Sequence, residues 1–319
     1  MLVKKIDINW HSDLSIYASE SFLKAVGDDY GWLGGFDDNG KLRCILPYTI
    51  IRKVMVRMVR FRVETIPLTE DFSIEEEQSF LNNGINYFRS IGADMIIPAT
   101  TNTIFRTFPQ GAIAAPYGTY IIDLRQPEEK LWANLHSKHR NVIRNATKKG
   151  VKILAGMEYI ETAYNMVRDT FKRSSMPFMG FDGFMRMING LGQNVKVFIA
   201  DYQGSAQGCA VVPFSGNTAY YVYGGTIPNP LTGATNLLQW EAIRLFSNQG
   251  VKRYDFCGVR INPKRGSKQA GLMMFKERFG PRLFQGYMWK YSLNPLKAAV
   301  YSLAVRFLRG GDIVDQESQ

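Results

Sequence analysis

Short apolar runs of period two alternate along this chain with segments whose apolar residues fall three and four apart. Strands and helices must therefore interleave rather than segregate. Residues 30–36 (YGWLGGF) read as a strand, Asp37-Asp38-Asn39-Gly40 supplies hairpin turn chemistry, and 41–51 pairs back. The run 54–63 carries Arg57, Arg60 and Arg62 among apolar residues, which predicts a strand with one side in solvent. Ser73 opens a helix with SIEE, a capping-box pattern, and its apolar positions recur up to a stop at Gly92. Residues 94–98 (DMIIP) read as a short buried strand.

A second series begins near Tyr117. It predicts a strand at 120–124, one long helix at 127–149 closed by Gly150, an extended stretch at 151–154 and a helix at 159–173. A hairpin of 195–201 with 208–214, a strand at 218–224, a helix at 236–248 and a strand at 253–257 follow. This is an α/β chain with mixed sheets flanked by helices. The first third offers a looser version of the same order, without a residue-by-residue repeat.

The 319 residues suffice for two domains, and a hydrophobic content of 45% excludes disorder except at 310–319, where the chain turns polar and acidic. A net charge of +11 favours a polyanionic ligand. Cys44, Cys209 and Cys257 are odd in number and form no CxxC pair, which argues against a disulfide framework or structural zinc. The N-terminus lacks a signal-peptide core, and no stretch reaches the roughly 18 apolar residues of a membrane span. The nearest is 295–308 (PLKAAVYSLAVRFL), interrupted by Lys297 and Arg306. It is expected to be a C-terminal helix packing back on the fold, with contact to a membrane surface as the sharper alternative. A cytoplasmic location follows, with association at the inner face of the membrane as a further hypothesis.

The available chemistry is narrow. His136 and His139 lie one turn apart, but Lys138 and Arg140 beside them would repel a divalent cation, so no metal site is expected. GxSxG, HExxH and GxxxxGK[ST] are missing from the sequence. What remains is carboxylates, lysines, tyrosines and backbone dipoles. Arg140, Arg144 and Lys148 fall in one row of a helix, suited to phosphates and equally to a solvated basic face. Residues 220–236 (YYVYGGTIPNPLTGATN) run from a strand through a glycine turn to a helix start, where amides can face an anion and Asn236 can meet a ligand. Residues 254–258 (YDFCG) are followed by 271–280 (GLMMFKERFG), with Lys276 held between Phe275 and Phe279. Such a lysine can stabilise charge developing on a carbonyl, or merely snorkel.

Three features, LWANLHSKHRNVIRNATKKG at 131–150, YYVYGGT followed by LLQWEAIRLFSNQGVKRYDFCG, and the closing FKERFG, together resemble the FemAB family of aminoacyl transferases and its acetyltransferase-like (GNAT) relatives. The resemblance implies two tandem acetyltransferase-like modules, 1–117 and 118–293, with a substrate groove between them and a C-terminal helix and tail at 294–319. Members move an amino acid from aminoacyl-tRNA to an amine of a peptidoglycan precursor. The lysine of the family's Phe-Lys motif falls on Lys276, beside Phe275, and its tyrosine-bearing strand on Tyr221 and Tyr223, which would line the groove. Phosphates of a nucleotide- or lipid-linked acceptor would meet Arg140, Arg144 or Lys24. Acetyltransferases of this fold hold coenzyme A at the loop matching 229–234 (NPLTGA), which departs from their Gln/Arg-x-x-Gly-x-Gly/Ala pattern and contains Pro230, a residue without an amide. Relatives that share the FKxxFG ending include acyl-CoA-dependent N-acyltransferases of surface polysaccharides.

The reaction implied is direct attack of an amine on an ester or thioester carbonyl, without a cofactor. Lys276 and backbone amides stabilise the oxyanion, Asp255 acts as base or caps its loop, and Tyr223 relays a proton or packs. The donor is aminoacyl-tRNA or, alternatively, an acyl-CoA acting with an amino-sugar acceptor. A non-catalytic RNA-binding or scaffold protein is the rival from another class.

Overall fold

In the computed structural model, which describes residues 1–317, the first hairpin is formed by Asp29–Phe36 and Leu42–Lys53. Its turn is set by Asp37, whose Oδ1 accepts from the amides of Asn39 and Lys41. The capping box is complete: Ser73 Oγ accepts from Glu76 N, Glu76 Oε2 accepts from Ser73 N, and the helix runs Ile74–Ser90.

Two sheets organise the chain. The larger, of ten strands, begins with Leu2–Ile6, the first hairpin, Val56–Phe61 and Met95–Ile96. It continues through Arg282–Ser292, Ile113–Asp123 and Arg253–Asp255 to Thr218–Tyr220. Arg282–Ser292 joins the two halves: residues 282–290 pair with Ile113–Asp123, and Tyr291 and Ser292 pair with Ile96 and Met95. The Ile113–Asp123 strand therefore runs through position 117/118, where the modules were expected to divide. The smaller sheet has four strands, Tyr223–Thr226, Ser205–Pro213, Val195–Tyr202 and Lys152–Ala155.

The halves also share a core. Tyr17, Phe22, Leu23 and Trp32 from the first pack with Val167, Phe184, Ile188 and Val197 from the second. The Phe181–Leu191 helix, for which the sequence reading made no assignment, lies on Glu20–Val26. Gly190 permits that approach, since a Cβ there would come within 2.4 Å of Ala25 Cβ.

Four expectations are corrected. The helix at 127–149 is two helices, Glu128–Asn134 and Ser137–Lys148. The chain is extended at Leu135 and His136, where His136 N donates to Arg278 O at 2.8 Å and its Nδ1 accepts from Lys138 N. The strand at 218–224 is likewise two strands, Thr218–Tyr220 and Tyr223–Thr226, one in each sheet. Arg60 and Arg62 face a cleft rather than bulk solvent, because the second half covers that side of their strand. The tail expected to be disordered carries a short helix, Ile313–Glu317, held by Lys290 pairing with Asp312 and Asp315; residues 318 and 319 lie outside the described range.

Candidate active site

The change of sheet at Tyr221-Val222 opens the fold. Thr218–Tyr220 pairs in parallel with Arg253–Asp255, and Tyr221 N still donates to Asp255 O at 2.8 Å. Beyond that rung the chain pairs with Ser205–Pro213 instead, so the sheets part at the carboxyl ends of two parallel strands. Diverging strand ends of this kind are where α/β folds hold their ligands.

The chain after Asp255 is shaped by an unusual backbone. Cys257 and Gly258 both have positive φ, 49° and 43°, a conformation a β-carbon disfavours at Cys257. Asp255 secures the turn, its Oδ1 accepting from Cys257 N at 2.7 Å and from the Thr119 hydroxyl. In consequence the carbonyls of Cys257 and Gly258 both accept from the ammonium of Lys276, the latter at 2.8 Å. Lys276 lies in the last turn of the Lys268–Glu277 helix, and burial brings its pKa down to about 8.

Asp255 sits close enough to influence this group, and Glu64 in turn lies close to Asp255. Burial raises Asp255 to about 6, against the opposing bonds from Thr119 and Cys257 and the charge of Lys276. Burial also raises Glu64 to about 7, and the charge of Asp255 adds to the effect. Glu64 carried no signal in the sequence. Tyr17, packed on Tyr220 with ring centroids 4.9 Å apart, has a buried hydroxyl without a partner among the described residues.

Beside this cluster lies a cleft of about 730 Å³ between the two halves. Tyr17, Val222, Tyr223 and Thr101 line it, together with the cationic residues Lys24, Arg60, Arg62 and Arg186. Thr101 links cleft and lysine, because a Cβ on Gly258 would touch Thr101 Cβ at 3.0 Å. Arg62 donates to Val26 O at 2.8 Å and to Thr49 Oγ1 at 3.3 Å, both neutral acceptors. Burial, reinforced by the charge of Arg60, lowers its pKa to about 9.

Of the residues singled out in the sequence, Lys24 and Tyr223 line the cleft, and Lys276 and Asp255 stand together beside it. Lys24 is exposed at the rim and paired with Glu20 at 2.9 Å. Tyr223 packs its ring against Phe178 and Phe184. Five others lie elsewhere. Tyr221 turns onto Phe256 and the second-half core, because the break between the two short strands upsets the alternation that would have placed it beside Tyr223. Arg140 donates to the carbonyls of Ala133 and Leu135, closing the C-terminus of the preceding helix. Arg144 stacks over Trp132 at 5.5 Å. Phe275 packs on His139 and Phe279, and its carbonyl accepts from His139 Nε2 at 3.1 Å. Asn236 is half-buried in the first turn of Ala234–Asn248, outside the cleft lining.

Residues 208–306, which hold the parted strand, the Cys257 turn and Lys276, match the model of the FemAB family. Over this span the chain is similar to the FemAB family. A lipid II:glycine glycyltransferase of Staphylococcus haemolyticus (strain JCSC1435) is 32% identical over 81 residues, 23% of this chain and 18% of that protein. The chain thus spans less than a fifth of that curated relative. The crystal structure of FemX superposes with a TM-score of 0.65 at 13% identity, over 90% of this chain and 93% of the other. A tandem GNAT protein from the clavulanic acid biosynthesis pathway does so with a TM-score of 0.50 at 9% identity, over 92% and 99%. At such identities the likeness is one of fold: two tandem acetyltransferase-like modules, mixed sheets flanked by helices.

Proposed function

We propose that this FemAB-type protein is an acyltransferase that moves an aminoacyl group from aminoacyl-tRNA onto a primary amine of a peptidoglycan precursor, lipid- or nucleotide-linked, on the cytoplasmic side of the membrane. One observation carries the reading: a desolvated lysine ammonium, aimed by two carbonyls, stands where the sheets part beside an arginine-lined cleft. The similarity to a glycyltransferase named for lipid II supports the acceptor class.

The donor reading draws on the loop at 229–234. Leu231 N is taken by Gln207 Oε1 at 2.9 Å, Ala234 N by Leu231 O, and Pro230 has no amide. A Cβ on Gly233 would lie 2.2 Å from Val142 O, so the neighbouring helix fills the space in front of the loop. A pyrophosphate needs free amides there, which disfavours coenzyme A as the donor handle.

In the proposed step the amine nitrogen attacks the ester carbonyl carbon. Lys276 donates to the oxygen as it becomes negative, the carbon–oxygen bond to the tRNA ribose breaks, and the amine's proton ends on the released hydroxyl. Glu64, near neutrality, is the carboxylate assigned to accept that proton first; Asp255 is assigned to hold the turn. Glu64 must be ionised and Lys276 protonated, so activity should rise through about pH 7 and fall through about pH 8. Glu64→Gln should remove the acid limb and lower kcat about 10²-fold. Asp255→Asn keeps an acceptor for Cys257 N and should retain most activity. The reverse pattern in the two pH profiles would give the base role to Asp255.

The donor is tested by offering purified protein a labelled aminoacyl-tRNA mixture and, separately, an acyl-CoA series, each with lipid- and nucleotide-linked precursors. Transfer from tRNA alone is expected. Transfer from thioesters alone would make the protein an N-acyltransferase, and tRNA binding without transfer would favour the non-catalytic reading.

A further inference from the structure

The Pro295–Arg309 helix buries only one side. Ala298 and Tyr301 pack on Met58, Met95 and Ile97, and Lys297 pairs with Asp94 at 3.0 Å. Leu296, Val300, Leu303 and Phe307 follow at helical spacing and are 81%, 71%, 67% and 93% exposed. Single exposed apolar side chains are ordinary, but a continuous stripe marks a surface meant to be covered.

A second element reaches the same place. The two-residue turn between Leu42–Lys53 and Val56–Phe61 is Val54-Met55, 104% and 77% exposed, with Val54 at φ 53°. Turns of this kind select glycine or asparagine, and a β-branched residue there is strained. Both conformational preference and water thus oppose this apolar pair. Lys297 Nζ donates to Met55 O at 2.9 Å, which ties the tip to the start of the helix.

Cations predominate around the patch, although Asp94 pairs with Lys297 and Asp29 with Arg52. The helix contains no acidic residue, Arg306 is exposed on it, and exposed Arg52 and Lys53 precede the tip. We infer that this patch docks on an anionic lipid bilayer, the helix lying in the interface with Val54 and Met55 inserted beside it. Fifteen residues of helix reach about 22 Å, short of a hydrocarbon core of roughly 30 Å, so the helix lies on the membrane and does not cross it. Anionic headgroups complement the basic rim, whereas a second copy of the +11 chain would bring like charges together.

The inference stands on the surface alone, and its test reads binding, not transfer. The full chain should float with vesicles of equal parts phosphatidylcholine and phosphatidylglycerol, far less with phosphatidylcholine alone, and less as salt is raised. Val300→Glu with Leu303→Glu and Phe307→Glu should weaken partitioning by at least about tenfold without moving the melting temperature, since these side chains are exposed. Val54→Asn with Met55→Gly should weaken it while relieving the turn. Folded protein that floats with neither vesicle, or variants that float like the parent, would overturn the inference. So would a dimer in sedimentation that the glutamate variants split, because that would give the patch to self-association.

Discussion

Lys276→Ala is expected to lower transfer by about 10²- to 10³-fold, the range for removing one donor aimed at an oxyanion. The loss should fall on kcat, because the proposed interaction strengthens only as the carbonyl oxygen gains charge. An ammonium has three donors, and the carbonyls of Cys257 and Gly258 take two, leaving one to meet the substrate oxygen. The stability change should be small. The variant loses two hydrogen bonds, but it also sheds a charge whose burial is costly enough to bring the pKa to about 8. The linkage sign agrees. With a folded pKa near 8 and an unfolded one near 10.4, the unfolded chain binds more protons between those values, so the parent gains stability as pH rises through that window. The variant should lack that gain. Lys276→Arg should rescue poorly, since a rigid fork cannot replace a point donor placed by two carbonyls. Single-turnover rates on preformed aminoacyl ester, read with melting curves, check both halves; a kcat within about threefold of the parent would remove Lys276 from the chemistry.

What the sequence made legible was mostly local. Capping at Ser73 and the Asp37–Gly40 turn each depend on residues a few positions apart, and both stand where expected. The misreadings concern groups whose partners are distant in the chain. The helix break at Leu135-His136 is fixed by a bond to Arg278, and Arg140 is consumed by carbonyls that exist only because of that break. The sequence put Arg57, Arg60 and Arg62 on a strand with one side in solvent, but only the second half of the fold decides that Arg60 and Arg62 border a cleft. Tyr221 was misplaced because a strand that changes sheets loses its period. Glu64 has no motif at all; its environment is made by residues from both halves.

Arg62→Ala should raise the dissociation constant for a phosphorylated acceptor about 30-fold or more, with kcat at saturation little changed. Truncating one member of a buried charge-assisted contact costs about 2–5 kcal/mol, which sets that scale. Arg62 is the sharper probe because its bonds are to a carbonyl and a hydroxyl, and because burial and Arg60 lower its pKa to about 9. A cation held against both burial and a like neighbour is poised to gain when an anion enters, and Lys24 and Arg186 add to the same field. Inorganic pyrophosphate should therefore raise the melting temperature of the parent at low salt, by mass action on the folded state, and the effect should shrink as salt is added. Arg62→Ala should lose that shift. It should also cost about 1 kcal/mol of stability, because the Val26 carbonyl loses its donor. If pyrophosphate leaves the parent's melting temperature unchanged, the cleft does not hold phosphates, and the acceptor must be recognised through its sugar or peptide.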